Sequence, residues 1–249
     1  MRQKQKRIHI YGKHAVREAL MRAPHILKAI YLSPQMEDRA LLELVRKSGV
    51  KTEKIDQRRI SSQVEGNAPH QGIVALISAS GLTIPFEKFI EEFELDNSLL
   101  VYLDGVQDPH NVGTIIRASA AFGASAVLLP EHGQSPVTAG VIKASAGAAF
   151  TIPIVSVSNP QQALGAFKRA GVMIYGLAGE GAEDITKEPF EGSTLFVLGN
   201  EAEGISGSTR ALCSKILRIP IVKNVESLNV ASAATAALYA WSARHPGTY

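Results

Sequence analysis

Three stretches of the 249-residue chain set chemically able side chains directly after an apolar run. In residues 103–117 a strand end passes through Asp-Pro-His-Asn into a glycine-containing helix start, bringing Asn111 and Arg117 near one helix end. Taken singly, Asn111 suits a helix cap and Arg117 a solvated surface; the preceding Asp-Pro-His-Asn cluster favours a site. In residues 195–206 a strand ends in Gly199, Asn200 and Glu201. Backbone can approach a ligand closely at such a glycine. Glu201 could serve only as a helix-start carboxylate, yet an Asn-Glu pair bounded by glycines favours a binding or reacting loop. Residues 217–231 run from a strand through an irregular polar loop into an alanine-rich helix, with Ser227 or Asn229 as the expected N-cap. That helix places Val230, Ala234, Ala237, Leu238 and Trp241 on one face, so Trp241 reads as packing rather than as a base-stacking platform.

These stretches must be positioned by a scaffold of alternating elements. Residues 99–103, 126–129, 172–175, 194–198 and 217–219 read as short apolar strands with helical stretches between several of them. That alternation predicts an α/β fold with a mostly parallel sheet covered on both faces, where ligands sit beyond the carboxyl ends of the strands. Ahead of it, a helix over residues 12–21, a strand over 29–32, a helix over 39–47 and a strand over 72–77 predict a smaller α/β module. Residues 78–81 form a small-residue break, and 86–93 read as an acidic amphipathic turn bridging the halves. The expected division is 1–80, a linker over 81–97, and 98–249. The glycines of residues 176–181 do not match the dinucleotide fingerprint, which argues against a nicotinamide cofactor.

Charge separates the two parts. Residues 1–80 carry 15 lysines and arginines against 7 acids, net +8, and the remainder 11 against 16, net −5. A basic module beside a mildly acidic one suits docking onto phosphate backbone, and equally a merely solvated basic surface. Residues 1–7, with Arg2, Lys4, Lys6 and Arg7, read as an arm able to touch RNA. No stretch approaches the roughly 18 apolar residues of a membrane span, so no membrane association and a cytoplasmic location are expected. Cys213, the single cysteine, and scattered histidines give no ligand spacing, so no metal is expected.

In order, the three stretches resemble the three motifs of the SpoU (TrmH) family of RNA ribose 2′-O-methyltransferases. Agreement extends over residues 99–244 and includes Asn111, Gly113, Arg117, Gly199, Asn200, Glu201, Ser227, Leu228 and Asn229. Residues 10–20 and 70–75 resemble the family's substrate-binding domain, of the ribosomal L30e type. The whole chain is most similar to the subgroup acting on a guanosine of large-subunit ribosomal RNA.

The resemblance implies a SPOUT-type catalytic domain whose C-terminal part is threaded into a trefoil knot, although chains almost never knot and patterning alone leads to an ordinary doubly wound sheet. It implies S-adenosylmethionine held by Leu177, Ala178, Gly179, Gly199, Asn200, Ile219, Ile221 and Leu228. A homodimer lined by the C-terminal helix is implied too, with ribosomal RNA as partner. Arg117 would be the central catalytic group, Asn111, Glu201 and Asn229 would orient it and the ribose, and Ser227 would shape the loop near the methyl donor. A guanidinium holds its proton strongly, so fixing a phosphate and stabilising a developing alkoxide suit Arg117 better than acting as a base. Rival readings are the same chemistry on transfer RNA, a resistance-type enzyme modifying an adenosine, and a non-catalytic RNA-binding ribosome-assembly factor.

Overall fold

Strand β6 (Leu99–Asp104) shows how the larger sheet is built. Leu99, Val101 and Leu103 join one apolar core while Leu100 and Tyr102 join another on the opposite face. Because both faces are covered, the strand reads as an unbroken apolar run rather than an alternation. β11 (Thr194–Gly199) divides the same way, with Phe196 and Leu198 on one side and Leu195 and Val197 on the other. The computed structural model describes residues 7–55 and 70–247; most of the basic arm, residues 1–6, lies outside them.

The smaller sheet has the order β1-β4-β2-β3, from β1 (Arg7–Tyr11), β2 (Leu27–Leu32), β3 (Thr52–Lys54) and β4 (Ile73–Ser78). β4 pairs antiparallel with β1 and β2, and β2 pairs parallel with β3. Helices α1 (Lys13–Arg22) and α2 (Arg39–Ser48) contribute Val16, Ala19, Leu41 and Val45 to its core. The Asp38 carboxylate caps α2 by accepting from Leu41 N, and it takes both oxygens to Arg17, which fastens α1 to α2.

The larger sheet has the order β10-β12-β9-β11-β6-β7-β8-β5, and every paired neighbour is parallel. Its remaining strands are β5 (Ile84–Pro85), β7 (Ala126–Pro130), β8 (Ile154–Val157), β9 (Met173–Leu177), β10 (Glu183–Asp184) and β12 (Lys215–Arg218). Segment 81–97, expected as a linker, contributes structure to this half. β5 adds an edge strand beside β8, and α3 (Phe86–Glu92) buries Phe86 and Phe89, the former edge-on to Phe167 of α6 (Pro160–Arg169). Two phenylalanines three residues apart supply the apolar anchor that the acidic composition concealed.

On the other face lie α4 (Pro109–Ala121), α5 (Ala139–Ala144) and α8 (Val230–Ser242); the short α7 (Gly207–Arg210) precedes β12. α4 crosses α5 at Gly113, where an added Cβ would stand 2.5 Å from Ala144 Cβ and 2.6 Å from Val141 O. Only glycine permits that approach. α8 packs on α4; Ala234, Ala237, Leu238 and Trp241 are buried as their spacing predicts, Val230 is only partly buried, Ala231 is buried as well, and Trp241 stacks on His245. Past its end, Arg244 donates to the Glu188 and Thr186 carbonyls.

The two halves share a core. β1 packs against α5, α1 meets the turn at Gly147, Ala139 packs against Tyr11, and the Lys143 ammonium stands 5.2 Å over the Tyr11 ring.

Candidate active site

β11 and β6 lie side by side in parallel, so Gly199 and Asp104 end at the same edge of the sheet. The chain leaves β11 through a tight ring in which Asn200 N donates to Gly204 O and Gly204 N to Asn200 O, both at 2.9 Å. Gly204 takes a φ of +71°, and a Cβ on Gly199 would fall 2.2 Å from Gly204 C and 2.4 Å from Ile205 N. Both glycines are demanded by the ring. The Asn200 amide is consumed by it as well: Oδ1 accepts from Ala202 N and Glu203 N, and Nδ2 donates to Gly105 O at 2.8 Å. Asn200 was expected at the cofactor site; its side chain ties the loop after β11 to the loop after β6.

That ring aims Glu201 at the start of α4. The Glu201 carboxylate accepts from Asn111 Nδ2 at 2.9 Å and from Gln107 N and Asp108 N at 3.4 Å each. Burial alone would raise its pKa, but the hydrogen bonds from Asn111 and the backbone outweigh burial and hold it below the usual carboxylate value. An ionised carboxylate only accepts, so Asn111 must turn its NH₂ toward Glu201 and its carbonyl away. That carbonyl accepts from Asn229 Nδ2 at 3.0 Å, and Asn229 Oδ1 in turn accepts from Ala231 N and Ser232 N, capping α8. One charge thus sets the polarity of a line that joins the loop after β11 to α4 and α8. The cap of α4 itself is Asp108, which accepts from His110 N, and the cap of α8 is Asn229 rather than Ser227.

Removing the charge should expose its contribution to stability. Because the folded-state pKa of Glu201 is depressed, the stability it adds is present above the unfolded-state value and is lost as pH falls through the folded one. Wild type should therefore melt above Glu201→Gln at pH 7, and the gap should narrow as pH falls below the ordinary glutamate range and through the depressed folded-state value. A gap independent of pH would show that the charge does not organise the line.

Arg117 is not part of this line. It lies six residues beyond Asn111, which puts it about 9 Å farther along α4 and about 120° around it. Its side chain is exposed and makes no hydrogen bond or ion pair among the described residues. Asn111, Glu201 and Asn229 bond to one another and to helix starts, and none of them bonds directly to Arg117. Ser227 is exposed in the loop before α8, likewise without a hydrogen bond among the described residues.

The other expected residues gather at three adjacent strand ends. β12, β9 and β11 are neighbours, and Leu177 pairs with Leu217 on one side and Leu198 on the other. Ala178 N donates to Leu217 O, and Gly181 N closes the turn on Ala178 O. Gly179 is open, with nothing within 4 Å of an added Cβ. Ile219 packs partly into the core, while Ile221, Val222, Val225 and Leu228 are exposed large apolar side chains in residues 219–229. Backbone at strand ends beside uncovered aliphatic groups fits a ligand with an apolar, planar portion and polar edges, as S-adenosylmethionine has. Two structural residues escaped the sequence reading. Asp104 accepts from Ser206 N and Thr209 Oγ1, and Gln134 donates to Val106 O, together bracing the loops after β6, β7 and β11.

The model of the SpoU rRNA methylase family matches residues 98–239, and that for RNA 2′-O ribose methyltransferase substrate binding matches residues 9–82. The chain is 35% identical over 240 residues to the 23S rRNA (guanosine-2′-O-)-methyltransferase RlmB of Vibrio cholerae, covering 92% of this chain and 94% of that protein. Its counterpart in Xanthomonas axonopodis is 40% identical over 190 residues, covering 74% of this chain and 76% of that protein. Among solved structures, the SpoU methyltransferase AviRb from Streptomyces viridochromogenes in complex with AdoMet superposes with a TM-score of 0.84 at 24% identity, covering 97% of this chain and 91% of that one.

Proposed function

The chain belongs to the SpoU rRNA methylase family, and on that premise we propose that it transfers a methyl group from S-adenosylmethionine to the ribose 2′-hydroxyl of a guanosine in 23S ribosomal RNA, in the cytoplasm. The observation that carries this is the hydrogen-bonded line Glu201, Asn111, Asn229 at the strand ends, next to the open loops of residues 177–179 and 219–229. The substrate follows the activity for which relatives aligning along both halves are named.

When bound, S-adenosylmethionine supplies a methyl group on an electron-poor sulfonium. The chain's own residues must hold the ribose oxygen in line with it, exclude water and accommodate the charge that develops on that oxygen. Leu177, Ala178, Gly179, Gly199, Ile219, Ile221 and Leu228 would line the cofactor, with Asn200 shaping the loop. Asn111, Glu201 and Asn229 keep α4 and α8 fixed relative to it, and Ser227 borders the methyl donor. Arg117 holds the neighbouring phosphate and stabilises the developing alkoxide as a permanent bidentate cation.

Residues 1–80 would supply RNA docking. The chain would act as a homodimer around α8, whose Tyr239 is 62% exposed beside Phe122 of α4. The trefoil belongs to the same reading. β12 lies on the far side of β9 from β11, yet α8 packs behind β11 and on α4, so residues 219–229 must return across the strand ends.

The decisive experiment maps 2′-O-methyl groups in total RNA from cells with and without the gene. Loss of one ribosomal guanosine methyl is expected. A change confined to transfer RNA would overturn the substrate, and unchanged methylation with no calorimetric binding of S-adenosylmethionine would favour a binding protein.

A further inference from the structure

The methyl transfer requires a proton acceptor, and the groups assigned so far are poor ones. Arg117 keeps its proton at any ordinary pH. The Glu201 carboxylate is held below its usual range and its oxygens already accept three hydrogen bonds. Asp104 is engaged by Ser206 N and Thr209 Oγ1, and Asp108 by His110 N.

His110 is left. It lies in the first turn of α4, immediately before Asn111, and its exposed ring makes no hydrogen bond or ion pair among the described residues. Positions 110, 114 and 117 follow helical spacing, so His110, Thr114 and Arg117 share one face of α4, turned away from the Asn111 line. Helical side chains lean toward the N-terminus, so from Arg117 the direction of lean is toward Thr114 and His110. An imidazole acceptor and a fixed cation are thereby set along one rail at the edge of the candidate site.

We propose that His110 is the proton acceptor of the reaction, with Thr114 and Arg117 holding the backbone of the same nucleotide; this rests on the methyltransferase reading above. The ribose oxygen forms a bond to the methyl carbon as the carbon–sulfur bond breaks. The electron pair of that bond goes to sulfur, giving a neutral thioether. The hydroxyl proton passes to a ring nitrogen of His110, and the imidazolium later releases it to water. The elements around α4 bring Asp108, Glu201, Glu203, Lys143 and Arg117; α8 carries no charged side chain, and its Tyr239 packs on Phe122 at the far end of α4. Among side-chain types, imidazole is the one suited to taking and releasing a proton near neutrality.

The test uses the full chain with S-adenosylmethionine and unmodified 23S ribosomal RNA transcribed in vitro, measuring single-turnover rates from pH 5.5 to 9. Wild type should lose rate as pH falls through the imidazole range. His110→Asn, which keeps polarity but takes no proton, should be about 10²- to 10³-fold slower at neutral pH, without that limb. Its affinity for S-adenosylmethionine by calorimetry should stay within a few-fold. A His110→Asn rate within a few-fold of wild type, or a slower variant with the limb unchanged, overturns the assignment while the methyltransferase reading stands. An inactive wild type that also fails to bind S-adenosylmethionine overturns both.

Discussion

Arg117→Ala is expected to lower the single-turnover rate of methyl transfer by about a thousandfold or more, equivalent to about 4 kcal/mol of transition-state stabilisation. Affinity for S-adenosylmethionine should move by no more than a few-fold. The split follows from position: Arg117 is exposed, stands on a face of α4 separate from the Asn111 line, and makes no bond among the described residues whose loss would disturb the fold. On the role proposed for it, its removal should cost the contact to RNA and little else. Arg117→Lys keeps the charge but not the planar fork, so it should recover only a minor part of the rate. Turnover near wild type in the alanine variant would remove Arg117 from the chemistry.

Gly199→Ala should do the opposite, acting on the fold first. Its Cβ would lie 2.2 to 2.5 Å from three backbone atoms of Gly204 and Ile205, and backbone held in a hydrogen-bonded ring cannot step aside as a side-chain tip can. The expected cost is about 3 kcal/mol or more, or roughly 6 to 12 °C in Tm for a chain of this size. Cofactor affinity should fall with it, since the ring also places the loop after β11. Gly207→Ala is the matched control: nothing lies within 4 Å of its Cβ, and its backbone suits an ordinary residue. That change should leave Tm unaltered or slightly raised. Equal melting of the two variants would refute the crowding argument.

The strands rich in Leu and Val declared themselves because a parallel sheet buried on both faces needs an unbroken apolar run, as in residues 99–103 and 194–198. β8, with Ser156 in its centre and Pro153 just before it, lacked that signal. The two-residue strands β5 and β10 are too short to carry any pattern, and β1 begins inside a stretch dominated by basic residues. Of the site, the glycines and the Asn-Glu pair stood out locally. The bond from Asn111 to Glu201 spans 90 positions and that from Asn229 to Asn111 spans 118, distances at which spacing says nothing about contact. Asn200 illustrates the limit: its type and place suggest a ligand contact, and only the closed ring reveals that its amide is already spent.

The packing of α5 has a consequence for how RNA is chosen. α5 presses on α4 at Gly113 and, on its other side, against β1 and Tyr11 of the smaller sheet. The helix bearing Arg117 and the half that would grip RNA are thus braced through one short helix, without slack between them. On the proposed function such a molecule would work as a fixed gauge. It would measure the separation between a gripped element and a ribose, so a folded RNA that holds those two points at the right span would be favoured over a flexible strand carrying the same local sequence.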